Sequence, residues 1–476
     1  MLAKECTLKL NDSYNLKDVL RIIVYLSGVF VTMPIVGISL GGHFLSLFSI
    51  LFILLFAGSA FLAVNGGSLP RILKNKVEIC FFGFCLWSLV GIALGLYFLN
   101  PSWKPYLISN GVKPIEYILL MLLIHIVNDG KSAEQFAKGL MLGFILNCSW
   151  SILQGVYYLV FHHSLNSLLF SNASIDVAEI WTVYGGIRAC GFNMDPANIG
   201  GFLPAVVFYA LYHKKKYLLV ICALSLVFSQ STTALVGTFF AVAVYVVFHR
   251  KYIGEKKVHK KHSNSMKRLS IYFLAAAGVI AVFIVLLKNG TIDKLVDGIS
   301  SYVDGFVTRV SSNYVYADDK GPRAIYYGQA IPQLFKRNIL FMLCGSGIGT
   351  SMEAYAEYQI FGIVGVNAFG EVETTFLAYL FDCGIIGFFI YVLLLYYAVR
   401  ALLKSFNKMI SETGLIYFSF LIAMIFSELL YHYIFTAYRM MALIFLIDYL
   451  NNYDNSVIKY QVKKLAGEIG LKVRGL

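Results

Sequence analysis

The chain has 476 residues, of which 58% are hydrophobic and only 14% are charged, and its mean hydropathy is +0.71. Soluble domains keep about a quarter of their residues charged, so this composition excludes a soluble enzyme and indicates a polytopic membrane protein. The net charge of +13 does not indicate nucleic-acid binding, because the basic residues lie in connections between apolar segments rather than on one soluble face.

The apolar runs predict an all-α fold with about twelve transmembrane helices. In chain order they fall near residues 21–40, 44–64, 77–99, 112–127, 134–161, 196–212, 217–229, 231–248, 269–288, 374–399, 413–428 and 433–450. The pairs at 217–248 and 413–450 give fewer than about 20 residues per span, so each is predicted as a short, tilted or re-entrant hairpin.

The connections alternate in charge along the chain. Every even-numbered connection is basic, and the strongest is 249–268, with eight Lys/Arg against one Glu. Positive charge marks cytoplasmic connections, so both termini are predicted to be cytoplasmic. The predicted organisation is helices 1–9 in 1–288 with the basic cytoplasmic loop 249–268, a large extracytoplasmic loop at 289–373 between spans 9 and 10, helices 10–12 in 374–450, and a cytoplasmic tail at 451–476.

The loop 289–373 is the largest interruption in the apolar sequence. Its residues 289–372 carry six Lys/Arg and eight Asp/Glu. Residues 322–337 and 352–361 predict two short helices, the first amphipathic. The run Gly345-Ser-Gly-Ile-Gly349 lies between them and neither leaves a strand nor opens a βαβ unit, so it fails the test for a dinucleotide site. It is predicted to be a tight turn, either near a substrate or purely structural.

Ionisable residues gather at the predicted outer surface. They are Arg188 and Asp195 with Asn198 before the sixth span, Arg309 and Arg323 in the loop, Glu371 and Glu373 at its exit, and Arg439 with Glu428 in the last pair. Several arginines on one face suit a phosphate-rich ligand, because guanidinium groups bind phosphate through two hydrogen bonds. The alternative is that Arg188–Asp195 and Glu428–Arg439 are structural ion pairs. No metal-ligand cluster or serine-hydrolase motif is present, so no metal site is predicted.

The order of these features resembles the O-antigen polymerase and O-antigen ligase superfamily of bacterial surface-polysaccharide assembly, over about residues 185–400. The matching pieces are Arg188…Gly191-Phe-x-x-Asp195-Pro196-x-Asn198, Ser229-Gln-Ser231-Thr-Thr-Ala234, Arg323 in a loop helix, Gly345-x-Gly347-x-Gly349, and Glu373-Thr-x-x-Leu377-x-x-Leu380-x-Asp382-x-Gly384-Ile-Ile-Gly387.

The resemblance implies a metal-independent glycosyltransferase of the bacterial inner membrane, with no cofactor expected. Its donor and acceptor would be glycans on undecaprenyl diphosphate, in contact with membrane lipid, and a chain-length regulator is a further conceivable partner. Ligases of the superfamily normally carry a histidine in the loop or at the head of the last glycine motif. Here Glu373 stands at that position and 289–372 contains no histidine, which favours a polymerase.

The expected roles follow from the needs of glycosyl transfer. Arg188 and Arg323, with Arg309 as a weaker third, are expected to bind the donor diphosphate. Glu373, and after it Glu371, is the candidate general base. Supporting positions are Asp195, Asn198, Gly345, Gly347, Gly349 and Arg439. Three alternatives remain open at this stage: an O-antigen ligase, a flippase for lipid-linked oligosaccharides, and a non-catalytic scaffold. The product could be O-antigen, capsule or exopolysaccharide.

Overall fold

The computed structural model describes most of the predicted helical regions. The described residues are 2–40, 43–66, 73–99, 104–127, 131–161, 163–170, 189–193, 196–229, 231–254, 331–332, 334–350, 374–430 and 437–468.

The described residues are almost entirely helical, which confirms the predicted all-α membrane fold. The α-helices are α1 (Leu2–Phe30), α2 (Leu47–Gly66), α3 (Lys76–Phe98), α4 (Lys104–Val127), α5 (Ser132–Phe161), α6 (Leu165–Leu169), α7 (Leu203–His213), α8 (Lys216–Ser229), α9 (Thr232–Phe248), α10 (Ile339–Cys344), α11 (Thr375–Asp382), α12 (Gly384–Lys408), α13 (Glu412–Leu430) and α14 (Ala437–Glu468). A 3₁₀ helix spans Pro196–Gly201, a π-helical turn spans His249–Gly254, and strands β1 (Gly37–Leu40) and β2 (His43–Ser46) form an antiparallel hairpin.

Seven of the described helices are long and apolar enough to cross a membrane: α2, α3, α4, α5, α9, α12 and α13, with α7 and α8 as shorter apolar helices. The chain is therefore a multi-pass membrane protein. The predicted number of about twelve spans stays a prediction.

The first half of α14 is the central helix of the bundle. Residues 440–447 are all fully buried, so protein rather than lipid surrounds them. Phe445 stacks on Phe136 of α5 with ring centroids 4.3 Å apart, and α14 also packs against α4 and α13. The helix then continues unbroken to Glu468, so much of the predicted tail 451–476 is part of α14.

Two apolar runs are interrupted where a single helix was expected. The run 21–40 is helical only to Phe30, because Pro34 would clash with the carbonyl of Phe30 in a continued helix, and the chain turns into β1 instead. The tenth run is divided at Cys383, and Gly384 there has a φ of +67°. A residue in the left-handed backbone conformation ends one helix and changes the direction of the chain before the next.

The two apolar runs predicted at 217–229 and 231–248 are both helical. Helix α8 ends at Ser229, and α9 begins at Thr232 after Ser231, whose hydroxyl accepts a hydrogen bond from the Ala234 amide at 3.2 Å. A serine in this position satisfies an amide that the first helical turn would otherwise leave unpaired.

Candidate functional site

A buried ion pair joins the C-terminal turn of α13 to the start of α14. Arg439 Nη1 lies 3.3 Å from Glu428 Oε1, and the two side chains are 1% and 0% exposed. The Tyr391 hydroxyl of α12 also donates a hydrogen bond to Glu428 Oε1. Removing two charges from water is costly, so such a pair persists only where further hydrogen bonds support it.

Four groups among the described residues accept hydrogen bonds from the guanidinium of Arg439. Nη1 donates to Thr375 Oγ1 at 3.2 Å, Nη2 to Ser427 Oγ at 3.0 Å, and Nε to the Tyr438 hydroxyl at 3.1 Å, in addition to the bond with Glu428. This geometry confirms the interpretation of Glu428–Arg439 as an ion pair. It also means that the donors of Arg439 are engaged with protein rather than directed at an outside anion.

The 3₁₀ helix Pro196–Gly201 borders the same cluster. A methyl group built on Gly201 would lie 3.0 Å from the Tyr438 hydroxyl and 3.9 Å from Ser427 Oγ. Asn198 is one 3₁₀ turn earlier, within about 6 Å along the axis. The segment before the sixth span therefore meets the last helix pair through Gly201.

Three oxygens near this cluster are buried without a hydrogen-bond partner among the described residues: Glu428 Oε2, Thr374 Oγ1 and Asn198 Oδ1. Thr374 precedes α11 as its cap residue, yet its side chain makes no capping hydrogen bond. It also directly follows Glu373 in the sequence. Buried polar atoms in native proteins are nearly always paired, so three unpaired oxygens in this region are unusual.

The glycine run forms a tight turn that packs against the junction between α11 and α12. Gly345, Gly347 and Gly349 all have positive φ, of +79°, +103° and +84°. The Gly349 amide donates to Asp382 Oδ2 at 2.7 Å and the Gly347 amide to the Asp382 carbonyl at 2.9 Å. The structure thus shows a tight turn at the three predicted glycines, in which Asp382 accepts from the Gly347 and Gly349 amides and the Phe341 carbonyl accepts from the Gly345 amide.

The glycine turn also packs against α3 without intervening side chains. A methyl group on Gly95 would lie 2.1 Å from the carbonyl oxygen of Ser346. Arg337, 8% exposed, donates to the Phe381 carbonyl at 3.0 Å and to Ser346 Oγ at 2.8 Å. The sequence had counted Arg337 only as a loop charge, yet it is buried and holds the turn together.

Helix α11 connects the two groups of predicted residues. Its first residue, Thr375, contacts Arg439, and its last, Asp382, binds the glycine turn. Seven residues of α-helix separate them by about 10 Å. The described site residues therefore lie at one end of the bundle, called here the Arg439 end.

The residues that follow Arg188 are fixed to α5 and α6. The Gly191 amide donates to Gln154 Oε1 at 2.8 Å, the Phe192 amide to Asn147 Oδ1 at 2.9 Å, and Asn166 Nδ2 donates to the Gly191 carbonyl at 3.0 Å. Gly191 and Phe192 of the first motif are thus held by three buried amide side chains, which no local sequence pattern had singled out.

Six predicted site residues lie outside the described residues: Arg188, Asp195, Arg309, Arg323, Glu371 and Glu373. Their roles as diphosphate ligands, support and base stay predictions. The two predicted loop helices fall largely or wholly outside as well. In the part of the chain that the structure describes, no group of His, Cys, Asp and Glu side chains could hold a metal ion.

A multi-pass α-helical membrane protein with a buried charged cluster at one end of its bundle is the class that this geometry defines. Residues 217–392 match the family model described as O-antigen ligase. This match confirms the resemblance to the O-antigen polymerase and ligase superfamily, and it supports an enzyme of the ligase or polymerase type that acts on lipid-linked glycans. A comparison with curated proteins finds no match.

The matched segment supplies only part of the cluster. Thr374, Thr375 and Tyr391 lie within residues 217–392, whereas Asn198, Ser427, Glu428 and Arg439 lie outside them. The site at the Arg439 end is therefore built jointly by the family segment and by the helices that flank it in sequence.

Proposed function

We propose that the protein polymerises oligosaccharide repeat units carried on undecaprenyl diphosphate into a bacterial surface polysaccharide. The growing chain would be moved from its diphosphate carrier onto the next lipid-linked unit. The single observation that carries this proposal is a hydrogen bond between the ion pair and the family segment. Arg439 Nη1 donates it to Thr375 Oγ1 at 3.2 Å. This contact joins the segment containing Glu373 to a buried polar cluster.

The separation of polar groups along α14 supports an enzyme rather than a transporter. Between Arg439 and Asp448 lie eight apolar residues, 440–447, all fully buried. They span about 12 Å of helix. A path for a polar glycan head group through the bilayer would need polar groups along its length, and the central helix provides none over this stretch.

The chemistry divides between arginines and carboxylates. In the proposal Arg188 and Arg323, assisted by Arg309, stabilise the charge of the departing diphosphate. Glu373, with Glu371 as the second candidate, accepts the proton of the attacking acceptor hydroxyl. Both termini in the cytoplasm, the reaction on the outer face of the membrane, and a chain-length regulator as partner belong to the same proposal.

The test compares surface polysaccharide on a gel from a deletion strain complemented with wild-type protein, Arg323→Ala, Arg188→Ala or Arg323→Lys. We expect the two alanine variants to leave single repeat units, and the lysine variant to lose most polymer because it cannot make a two-pronged phosphate contact. Lys320→Ala, which removes one positive charge from the same loop, is the matched control and should make normal polymer.

The same gel distinguishes the ligase suggested by the family description. Long chains accumulating on undecaprenyl diphosphate in the deletion strain would indicate a ligase instead. Normal polymer from either alanine variant, with membrane insertion confirmed by immunoblot, would remove that arginine from the site.

A further inference from the structure

The unpaired oxygens of the Arg439 end are all atoms that accept hydrogen bonds. Glu428 Oε2 and Thr374 Oγ1 belong to side chains that are 0% exposed, and Asn198 Oδ1 is the third buried oxygen of the set. Leaving such atoms unpaired is costly. A ligand with several hydrogen-bond donors would pair these oxygens.

The two oxygens of the Glu428 carboxylate differ in their hydrogen bonding. Oε1 receives both Arg439 and Tyr391, which fixes the orientation of the group. Oε2 is left without a partner among the described residues. Two firmly held donors on one oxygen therefore position the other oxygen for a third molecule.

Arg439 links Glu428 to the residue that follows Thr374. The guanidinium contacts Thr375, the residue next to Thr374, at 3.2 Å and Glu428 at 3.3 Å through the same nitrogen. The Thr374 hydroxyl makes no capping bond to α11. The two unpaired oxygens, Thr374 Oγ1 and Glu428 Oε2, thus belong to one residue that contacts Arg439 and to the chain neighbour of another.

The charge and hydrogen-bonding character of the subsite select its ligand. A diphosphate has only acceptor oxygens and is negatively charged, so Glu428 would repel it, and the donors of Arg439 already bind protein. A sugar is neutral and rich in hydroxyl donors, and carboxylates and hydroxyls are its natural partners. In the proposed reaction the acceptor is the sugar at the outer end of the lipid-linked unit, the one farthest from the diphosphate of its own carrier.

We propose that Glu428 and Thr374, with Asn198 beside them, bind hydroxyl groups of the acceptor sugar. This acceptor subsite rests on the proposed function and adds to it a place for the second substrate. Glu428 orients the acceptor, while proton removal stays with Glu373. The subsite is distinct from the predicted diphosphate ligands and draws two of its three oxygens from outside the family segment.

The test uses purified full-length protein in lipid nanodiscs, with glycolipid extracted from a deletion strain as acceptor and polymer-bearing lipid as donor. Rates are measured as each substrate is varied. Thr374→Val keeps the shape but removes the hydroxyl, and should raise the KM for the acceptor about five- to tenfold. The KM for the donor should stay unchanged. Thr374→Ser should restore acceptor binding to within about twofold of wild type.

Two further variants separate binding from structure. Thr238→Val is the matched control, because the Thr238 hydroxyl is already bonded to the Ala234 carbonyl at 2.7 Å, and its kinetics should equal wild type. Glu428→Gln replaces an acceptor oxygen with an amide that can donate, and should raise the acceptor KM by about tenfold or more. Thermal melting of each variant shows whether the fold is retained.

The outcomes are distinguishable. An unchanged acceptor KM in Thr374→Val, or equal rises for donor and acceptor, overturns the subsite while polymerisation by the wild type preserves the proposed function. If the wild type makes no polymer, binding of the same glycolipid is followed by intrinsic fluorescence. Weaker binding by Thr374→Val than by Thr238→Val then supports the subsite and rejects the polymerase, and equal binding rejects both.

Discussion

Two buried glutamates at opposite ends of the helix bundle are partnered in contrasting ways. Glu78, in the first turn of α3, accepts the Leu73 amide at 3.0 Å on Oε1 and the Lys74 amide at 2.9 Å on Oε2. Glu428 has two donors on Oε1 and none among the described residues on Oε2. Both carboxylates are fully buried, so burial does not explain the difference.

The Glu78 network continues into neighbouring helices and closes on itself. Asn451 of α14 contacts Glu78 Oε2 at 3.4 Å, His125 Nε2 at 2.6 Å and Asn75 at 2.6 Å. Every oxygen of the carboxylate has a protein partner, as expected of a group that joins helices. The comparison shows that protein groups complete both oxygens of the Glu78 carboxylate, whereas among the described residues they complete only one oxygen of Glu428.

The largest loss of stability is expected when the ion pair of the Arg439 end is broken. Arg439→Met leaves Glu428 as an uncompensated buried charge, which should lower the free energy of unfolding by about 3–5 kcal/mol. Adding Glu428→Gln to the same chain removes the charge and should recover part of the loss. Unfolding in detergent with increasing denaturant measures both. A single variant within about 1 kcal/mol of wild type would contradict the buried pair.

An intermediate effect is expected where the Arg439 end depends on backbone contact. Gly95→Ala drives a methyl group to 2.1 Å from the Ser346 carbonyl oxygen, and such overpacking costs about 1–3 kcal/mol. Gly83→Ala, in the same helix, is the matched control, because its nearest neighbour is Ile390 Cγ2 at 3.9 Å. Alanine favours helix, so this control should be neutral or slightly stabilising. Equal melting temperatures for the two variants would show that α3 and the glycine turn are not in contact.

A smaller effect is expected at the opposite end. Glu78→Gln retains one acceptor oxygen but sets an amide nitrogen against a backbone N–H, so about 1–2 kcal/mol of unfolding free energy should be lost. Glycosyl transfer by the surviving folded protein should be unchanged, in contrast to Glu428→Gln. A specific loss of acceptor binding in Glu78→Gln would erase the distinction between the two ends.

The helices were predictable because apolar length and charge alternation are local properties. The two helices within 217–248 were predicted in this way. The contacts that define the site were not, because they join residues far apart in sequence: Asp382 to Gly349, and Thr375 to Arg439. Hydropathy gives no information about which helix ends face one another.

Small structural breaks were also missed for a physical reason. Pro34 ends α1 inside a run that reads as continuously apolar, and Gly384 divides the tenth run in two. A single residue with a restricted or left-handed backbone overrides the hydropathy of its neighbours. The uncapped hydroxyl of Thr374 likewise could not be predicted from the sequence, because a threonine before a helix normally caps it.

The length of α14 has a mechanical consequence. Its 32 residues make a rod of about 48 Å, whereas the hydrocarbon core of a bilayer is about 30 Å thick. Arg439 lies in its first turn, and Asn451, which bonds Glu78, lies about 18 Å further along the same helix. One rigid helix therefore carries a residue of the ion pair and a residue of the Glu78 network, so that a displacement of one is transmitted to the other.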